Sequence, residues 1–295
     1  MSLLEIAGLH VEFATHGGVV HAVRGVDLAL EPGKTLAIVG ESGCGKSVTV
    51  QAALGLIPMP PGRITAGSVR FEGRELVGLE PREVNRIRGR EIAMIFQDPM
   101  TSLNPTMKIG RQITEALRYH DGLSGAAAEA RAIELLERVQ IPDARARVGR
   151  YPFEFSGGMR QRVMIAMAIA CNPRVLIADE PTTALDVTVQ AQILELLGTL
   201  QRERGMAIVL ITHDLGVVAE MADDVVVMYA GKIVEQSDAA TVFEQPHHPY
   251  TKGLLNSIPR LGEKRKRLEV IRGVVPNPLN LPSGCLFKRR CPSAM

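Results

Sequence analysis

The stretch "GESGCGKS", residues 40–47, constrains the fold of this chain more than any other. It fits the pattern G-x-x-x-x-G-K-[ST], follows the apolar run "TLAIVG" and precedes a helical pattern, which is the context that this phosphate-binding motif requires. Its glycines let the backbone curl so that N–H groups face a phosphate, and a helix start adds its positive dipole end. We therefore predict a P-loop α/β fold that binds a nucleoside triphosphate.

Within this loop, Lys46 is placed for the β- and γ-phosphates and Ser47 for Mg²⁺. Cys44 fills a variable position, and we interpret it as a small filler rather than a nucleophile. The residues predicted to contact the nucleotide are Gly40, Glu41, Ser42, Gly43, Cys44, Gly45, Lys46, Ser47 and Val48.

Two carboxylates end a second apolar run, "VLIADE", residues 175–180. We predict that Asp179 holds Mg²⁺, usually through water, and that Glu180 polarises the water that attacks the γ-phosphate. His213 ends the next apolar run, "VLITHD", and strand order places it at the same carboxyl edge, where open α/β sheets bind ligands. We predict that His213 senses the γ-phosphate and orients Glu180.

The rest of the chain alternates strand and helix patterns, which indicates a largely parallel α/β sheet. A helix-rich stretch at about 104–160 interrupts this alternation and is predicted to be an insertion, and residues 223–236 form a hairpin that turns at Ala230-Gly231. After about residue 240, proline and charged residues increase, and we expect the core to be complete there.

Composition narrows the class of partner. The net charge of +2 is too small to indicate nucleic-acid binding. No apolar run approaches the ~18–20 residues that a membrane-spanning helix needs. The N-terminus lacks a signal-peptide pattern and the 4 cysteines are too sparse for a disulfide scaffold. We expect a cytoplasmic protein, and docking onto a membrane protein remains compatible with that.

The stretch "FSGGMRQR", residues 155–162, contains a second predicted phosphate site. Ser156, Gly157 and Gly158 precede the helical run "MRQRVMIAMAIA", so they form another anion-binding helix start. A chain with one Walker loop and a second phosphate-binding helix start suggests two chains that share each nucleotide.

These motifs, in this order over about residues 4–240, resemble the ABC transporter ATPases. Gln97 in "IFQDP" is similar to the family's Q-loop, and "TALD" (183–186), which ends in Asp186, is similar to its D-loop. Phe13 lies where the family stacks an aromatic ring on adenine, although an aromatic on a strand is also typical of a core. The resemblance implies ATP as substrate and Mg²⁺ as cofactor. The implied catalytic residues are Lys46, Gln97, Glu180 and His213, and the implied Mg²⁺ ligands are Ser47, Gln97 and Asp179.

The resemblance also implies a head-to-tail dimer. Ser156, Gly157 and Gly158 of one subunit would cover the ATP held by the phosphate loop of the other. Met159 replaces the usual glutamine of the signature and Phe155 the usual leucine. Because the serine and both glycines are intact, we still expect a competent site.

The segment "FEQPHHPYTKGLLNSIPR", residues 243–260, resembles the His-Pro-Tyr segment of dipeptide and oligopeptide permease ATPases. This implies a cassette at 1–240, an extension at 241–295 and a peripheral position on the cytoplasmic face of the inner membrane. The implied partners are a second, related but different ATPase, two membrane permease subunits and an extracytoplasmic binding protein, with no nucleic acid. The insertion and the loop "IFQDPMTSLNP" would dock onto the membrane subunits.

Two other functions stay open. Importers of nickel, glutathione and other small solutes use near relatives of this subunit, and the ATPase does not contact the solute. A soluble regulatory or nucleic-acid-associated ATPase is the second alternative, against which the short insertion argues.

The tail "GCLFKRRCP" resembles the cysteine-bearing end of peptide permease ATPases, some of which hold an iron–sulfur cluster on four cysteines. Cys285 and Cys291 match the first two, and four residues follow Cys291. A 4Fe–4S cluster needs about four thiolates. We therefore expect no cluster, either because the chain stops before its other ligands or because this member has lost the site. His247-His248 favours a packed turn over a metal site, and "EKRKR" (263–267) a solvated linker.

Overall fold

The computed structural model describes residues 2–183, 185–257 and 271–294. The predicted linker "EKRKR" and Ala184 of "TALD" lie outside the described residues. The chain divides into two compact units, Met1–Leu79 with Ile211–Met295, and Glu80–Leu210.

The secondary structure alternates strands and helices, as predicted. The strands are β1 (Leu4–Thr15), β2 (Gly18–Leu30), β3 (Thr35–Val39), β4 (Gly62–Phe71), β5 (Arg74–Glu75), β6 (Ile92–Ile95), β7 (Val175–Asp179), β8 (Ala207–Ile211), β9 (Asp224–Tyr229) and β10 (Lys232–Asp238). The helices are α1 (Lys46–Ala53), α2 (Pro81–Ile87), α3 (Pro99–Ser102), α4 (Ile109–Asp121), α5 (Gly125–Arg138), α6 (Ala144–Arg147), α7 (Gly157–Ala168), α8 (Val187–Arg204), α9 (Leu215–Met221), α10 (Ala239–Glu244) and α11 (Pro249–Asn256).

The first unit contains an antiparallel sheet in the order β2-β1-β4-β5. Its β1 and β2 form an antiparallel pair, with Leu4 opposite Leu30 and Thr15 opposite Gly18. The same unit contains β3, which runs parallel to β9, while β10 pairs antiparallel with β9 after the predicted turn at Ala230-Gly231. All five residues of β3 are buried, which is typical of a strand covered on both faces.

The expectation that the core is complete at about residue 240 was wrong, because α10, α11 and the described tail at 271–294 add buried side chains to the core of the first unit. Tyr229 of β9, Tyr250 of α11 and Phe287 of the tail are buried together, with ring centroids 4.7 to 5.5 Å apart. Because aromatic side chains bury a large apolar area, this cluster joins the tail to β9.

In the second unit, β6 runs parallel to β7, and β8 is the next strand in the sheet order. The predicted helix-rich insertion contains α4, α5 and α6. Ile109, Ile113 and Leu117 of α4 are buried at four-residue spacing, which is the pattern of an amphipathic helix. In the described part of the chain, no helix is both long and apolar enough to cross a bilayer.

Candidate nucleotide-binding site

The phosphate loop connects β3 to α1 in the first unit. Gly40 has φ of 147° and Gly45 has φ of 99°, and side chains rarely adopt these angles. A Cβ atom on Gly40 would lie 2.2 Å from the carbonyl oxygen of Met228, and one on Gly45 would lie 2.5 Å from that of Ala22. The loop is therefore pressed against the main chain of its own unit, and both positions require glycine.

We expect Gly40→Ala to lower the free energy of unfolding by about 3 kcal/mol or more, because backbone strain of about 1–3 kcal/mol adds to a main-chain clash. Gly43 also has a positive φ, of 78°, but a Cβ atom added there would meet no other atom within 4 Å. Gly43→Ala is therefore the matched control and should cost only the strain, about 1 kcal/mol. Urea unfolding of the nucleotide-free chain measures both. Equal losses of unfolding free energy in the two variants would contradict a main-chain clash at Gly40.

Lys46 is the buried cation of the loop, with 5% of its side chain exposed. Its Nζ donates hydrogen bonds to the carbonyl oxygens of Gly40 at 2.8 Å and Glu41 at 3.2 Å. Its ammonium group is thus held inside the curl of the loop, as a phosphate-binding lysine should be. The Cys44 thiol is buried and its burial raises its pKa, so the thiol stays protonated and non-nucleophilic, in agreement with a filler role.

His213 is exposed at the turn between β8 and α9. It lines a cavity of about 280 Å³ in the first unit together with Gly40 and Glu41, and Leu254 and Ser257 close it from α11 and the following residue. The structure thus brings His213 beside the phosphate loop. Its predicted action on Glu180 stays a prediction.

The acid pair ends β7 in the second unit. Asp179 is 3% exposed. Glu180 has φ of 47°, a left-handed conformation that is unusual for a side-chain-bearing residue. The amide Nε2 of Gln97 donates to Glu180 Oε2 at 2.9 Å, and the hydroxyl of Thr183 donates to the same oxygen at 2.9 Å. Strained residues with fixed side chains cluster at functional sites.

The structure therefore brings together Gln97 and Glu180, two predicted site residues that are 83 positions apart. Thr183 was not predicted. Its spacing of three residues from Glu180 in a turn is the local signal that could have found it.

The signature also lies in the second unit. Ser156 caps α7, and its Oγ accepts a hydrogen bond from the N–H of Met159 at 3.4 Å. A Cβ atom on Gly158 would lie 2.7 Å from Val189 Cγ1, so α7 and α8 approach closely there. Asp186 caps α8 by accepting from the N–H of Val189 at 3.0 Å. Ser156 and Gly157 are exposed at this helix start, where an anion could bind.

Phe13 lies half-buried on β1, paired with Val20 of β2 and Gly62 of β4. A Cβ atom added to Gly62 would lie 3.1 Å from Cε1 of Phe13, so the ring packs closely on this glycine. The contact of Phe13 with adenine stays a prediction.

The His-Pro-Tyr segment begins helix α11 rather than forming the predicted turn, with His248 at the N-cap and Pro249 in the first turn of the helix. The N–H groups of His247 and His248 donate to Glu235, and His248 Nδ1 accepts from the N–H of Tyr250 at 3.1 Å. Burial lowers the pKa of His248. These contacts hold His248 at the start of the helix, whereas the side chain of His247 is 80% exposed.

In the tail, Cys285 is exposed and Cys291 half-buried. Among the described residues, no group of three or more His, Cys, Asp and Glu side chains could hold a metal ion. Two thiolates do not fit the four-thiolate ligand set of a 4Fe–4S cluster.

The first unit contains a strand–loop–helix phosphate loop and the second a strand-end Asp-Glu pair, and this combination of motifs defines a P-loop nucleoside triphosphatase. The family "ABC transporter" matches residues 23–183, and "Oligopeptide/dipeptide transporter, C-terminal region" matches residues 234–295. The chain therefore belongs to the ABC transporter family, among its ATP-hydrolysing subunits.

Two relatives and one solved structure show how similar the chain is to known members of the family. The chain is 58% identical to the oligopeptide transport ATP-binding protein OppD of Bacillus subtilis, over 99% of this chain and 82% of the relative. It is 53% identical to the dipeptide transport ATP-binding protein DppD of the same organism, over 99% and 88%. A dimeric post-hydrolysis structure of the ATP-binding cassette MJ0796 with ADP and Pi is 27% identical, with a TM-score of 0.72, over 80% of this chain and 98% of that one.

Proposed function

We propose that this chain hydrolyses ATP to power the uptake of dipeptides or oligopeptides through a membrane-embedded ABC importer. The proposal rests on sequence similarity to peptide transport ATP-binding proteins. This similarity extends over 99% of the chain and includes the C-terminal region at 234–295. A cassette likeness alone would leave the transported solute open.

In the proposed reaction, Lys46 binds the β- and γ-phosphates and Glu180 polarises the attacking water. The hydrogen bonds from Gln97 and Thr183 fix the Glu180 carboxylate. A fixed carboxylate suits this step because phosphoryl transfer depends on positioning and electrostatics. His213, beside the phosphate loop, would sense the γ-phosphate.

The donor set fits Mg²⁺, which prefers carboxylate and neutral oxygen ligands. Ser47, Gln97 and Asp179 would hold it, and Asp179 is a buried carboxylate at a strand end. When bound, Mg²⁺ neutralises charge on the phosphates.

The second ATP-contacting surface would come from another subunit. Ser156 and Gly157 are exposed at the start of α7, and the MJ0796 cassette is described as dimeric. We propose a head-to-tail dimer in which these residues, with Gly158, cover the ATP bound by the partner. The partner would be a related but different ATPase.

The membrane contact would be the loop around α3. Phe96 and Met100 are 40% and 63% exposed, and α3 is capped by the side chain of Asp98. Exposed large apolar residues on an ordered turn are suited to a protein contact. We propose two membrane permease subunits as partners there, with an extracytoplasmic binding protein delivering the peptide, and a peripheral position on the cytoplasmic face.

We expect that the tagged chain, purified from solubilised membranes of its own cells, will bring along two membrane proteins and a second ATPase. In proteoliposomes with the binding protein, peptides should stimulate ATP hydrolysis several-fold, whereas nickel and glutathione should not. The Glu180→Gln complex is the control, since it should assemble without being stimulated. Stimulation by nickel or glutathione alone would contradict the peptide assignment.

A further inference from the structure

The tail after residue 271 reaches the phosphate loop through one arginine. Arg290 makes a bidentate contact with the carboxylate of Glu41. Its Nη1 donates to Oε2 at 2.5 Å and its Nη2 donates to Oε1 at 2.8 Å. Only 3% of the Arg290 side chain is exposed. Its Nε also donates to the carbonyl oxygen of Arg272 at 3.1 Å. A bidentate pair of this kind fixes geometry as well as charge, with the guanidinium group buried and the Glu41 side chain 31% exposed.

Glu41 is also held by α11. Its backbone N–H donates to the hydroxyl of Tyr250 at 2.9 Å, and Tyr250 is fully buried. The carbonyl oxygen of Glu41 in turn accepts from Nζ of Lys46. The path from Arg290 to the lysine of the loop therefore runs through a single residue, Glu41.

Arg290 keeps its positive charge in this pair. The hydrogen bond from Arg290 to Glu41 is the main cause that raises the pKa of Arg290. The guanidinium group also lies 5.8 Å from the Tyr229 ring centroid and 6.0 Å from that of Phe287. These aromatic contacts connect Arg290 to the cluster that joins the tail to β9. The hydrogen-bonded pair of Arg290 and Glu41 is here called the brace.

We propose that Arg290 and Tyr250 are positioning residues for ATP: through Glu41 they hold the phosphate loop in the geometry that places Lys46. The C-terminal extension would thus set the nucleotide affinity of the cassette. This proposal rests on the proposed role of the phosphate loop. Because coupling between two sites is reciprocal, bound nucleotide should also stabilise the tail.

The first test compares Arg290→Gln with Arg289→Gln in the full chain. Arg289 is the adjacent, exposed arginine, so the two variants have equal charge. Binding of a fluorescent ATP analogue with Mg²⁺, well below the unfolding temperature, should weaken about tenfold in Arg290→Gln and stay unchanged in Arg289→Gln. Arg290→Lys should recover only part of the loss, because an ammonium group cannot form the fork.

Lys46→Ala separates this proposal from the one on which it rests. If Lys46→Ala loses binding while Arg290→Gln binds like the unsubstituted chain, the positioning role is wrong. If Lys46→Ala itself binds normally, the phosphate-loop assignment fails instead. A lower melting temperature in Arg290→Gln with unchanged affinity would indicate a merely structural contact and would also overturn the proposal.

A double-substitution cycle adds a second readout. Removing one partner of an ion pair leaves the other charge uncompensated, whereas removing both does not. We expect Glu41→Gln with Arg290→Gln to bind the ATP analogue no more weakly than Arg290→Gln alone. Additive losses of affinity for the ATP analogue would show that Glu41 and Arg290 act independently, and would contradict the proposed role of the brace.

The reciprocal measurement follows the half-buried Cys291, next to Arg290. Mg²⁺ and ATP should slow its alkylation, mapped by peptide mass, in the unsubstituted chain but not in Arg290→Gln. Equal protection in both proteins would contradict coupling through Arg290.

Discussion

Lys46→Ala is expected to weaken ATP binding about 100-fold, since it removes a charge-assisted contact worth about 1.5–3 kcal/mol from the centre of the phosphate loop. The ammonium group of Lys46 is already desolvated and aimed into the curl of the loop by the carbonyl groups of Gly40 and Glu41. An incoming phosphate would therefore meet a cation whose position and desolvation are set before binding. Equilibrium binding of a fluorescent ATP analogue measures the loss.

The control for this prediction is Lys232→Ala. Lys232 is an exposed lysine at the start of β10 in the same unit, so its loss changes the net charge equally. We expect its affinity to match that of the unsubstituted chain. Normal ATP affinity in Lys46→Ala would remove the phosphate-loop assignment. A parallel loss in Lys232→Ala would mean that overall charge, rather than the loop, controls binding.

The phosphate loop could be predicted from sequence because all of its determinants are local. An apolar run gives β3, glycines allow the positive φ angles at residues 40 and 45, and the next residues begin α1. The clash partners of those glycines could not be predicted, because Met228 and Ala22 approach the loop from distant parts of the chain. Periodicity likewise predicted α5 and α8, whose buried residues recur at helical spacing.

The brace, the contact between Arg290 and Glu41, could not be predicted from any comparable pattern in the sequence. Arg290 is one of three consecutive basic residues in "FKRRC", and only its place in the fold separates it from Lys288 and Arg289, which are exposed. Its partner Glu41 is 249 positions away. The predicted contact of Glu41 with nucleotide stays a prediction, and in the structure its carboxylate accepts from Arg290 while its N–H donates to Tyr250. Long-range pairing of this kind depends on topology, which residue types alone do not specify.

Glu180→Gln should lower the turnover number by about 10²- to 10⁴-fold, the usual contribution of a general base. The change is nearly isosteric, and the side-chain oxygen can still accept from Gln97 and Thr183, whose hydrogen bonds hold Glu180 at 2.9 Å. ATP binding should therefore persist while the attacking water is no longer polarised. Phosphate release under saturating ATP measures the loss.

Because ATP is expected to hold two cassettes together until it is hydrolysed, the same substitution should trap ATP-bound dimers. Size-exclusion chromatography with Mg²⁺, ATP and the partner ATPase should show these dimers for Glu180→Gln and fewer for the unsubstituted chain. Glu195→Gln on the exposed face of α8 is the matched control and should hydrolyse ATP at the normal rate. Unchanged hydrolysis in Glu180→Gln would exclude Glu180 as the base. Loss of ATP binding would instead show that its left-handed turn supports the fold of the site rather than the chemistry.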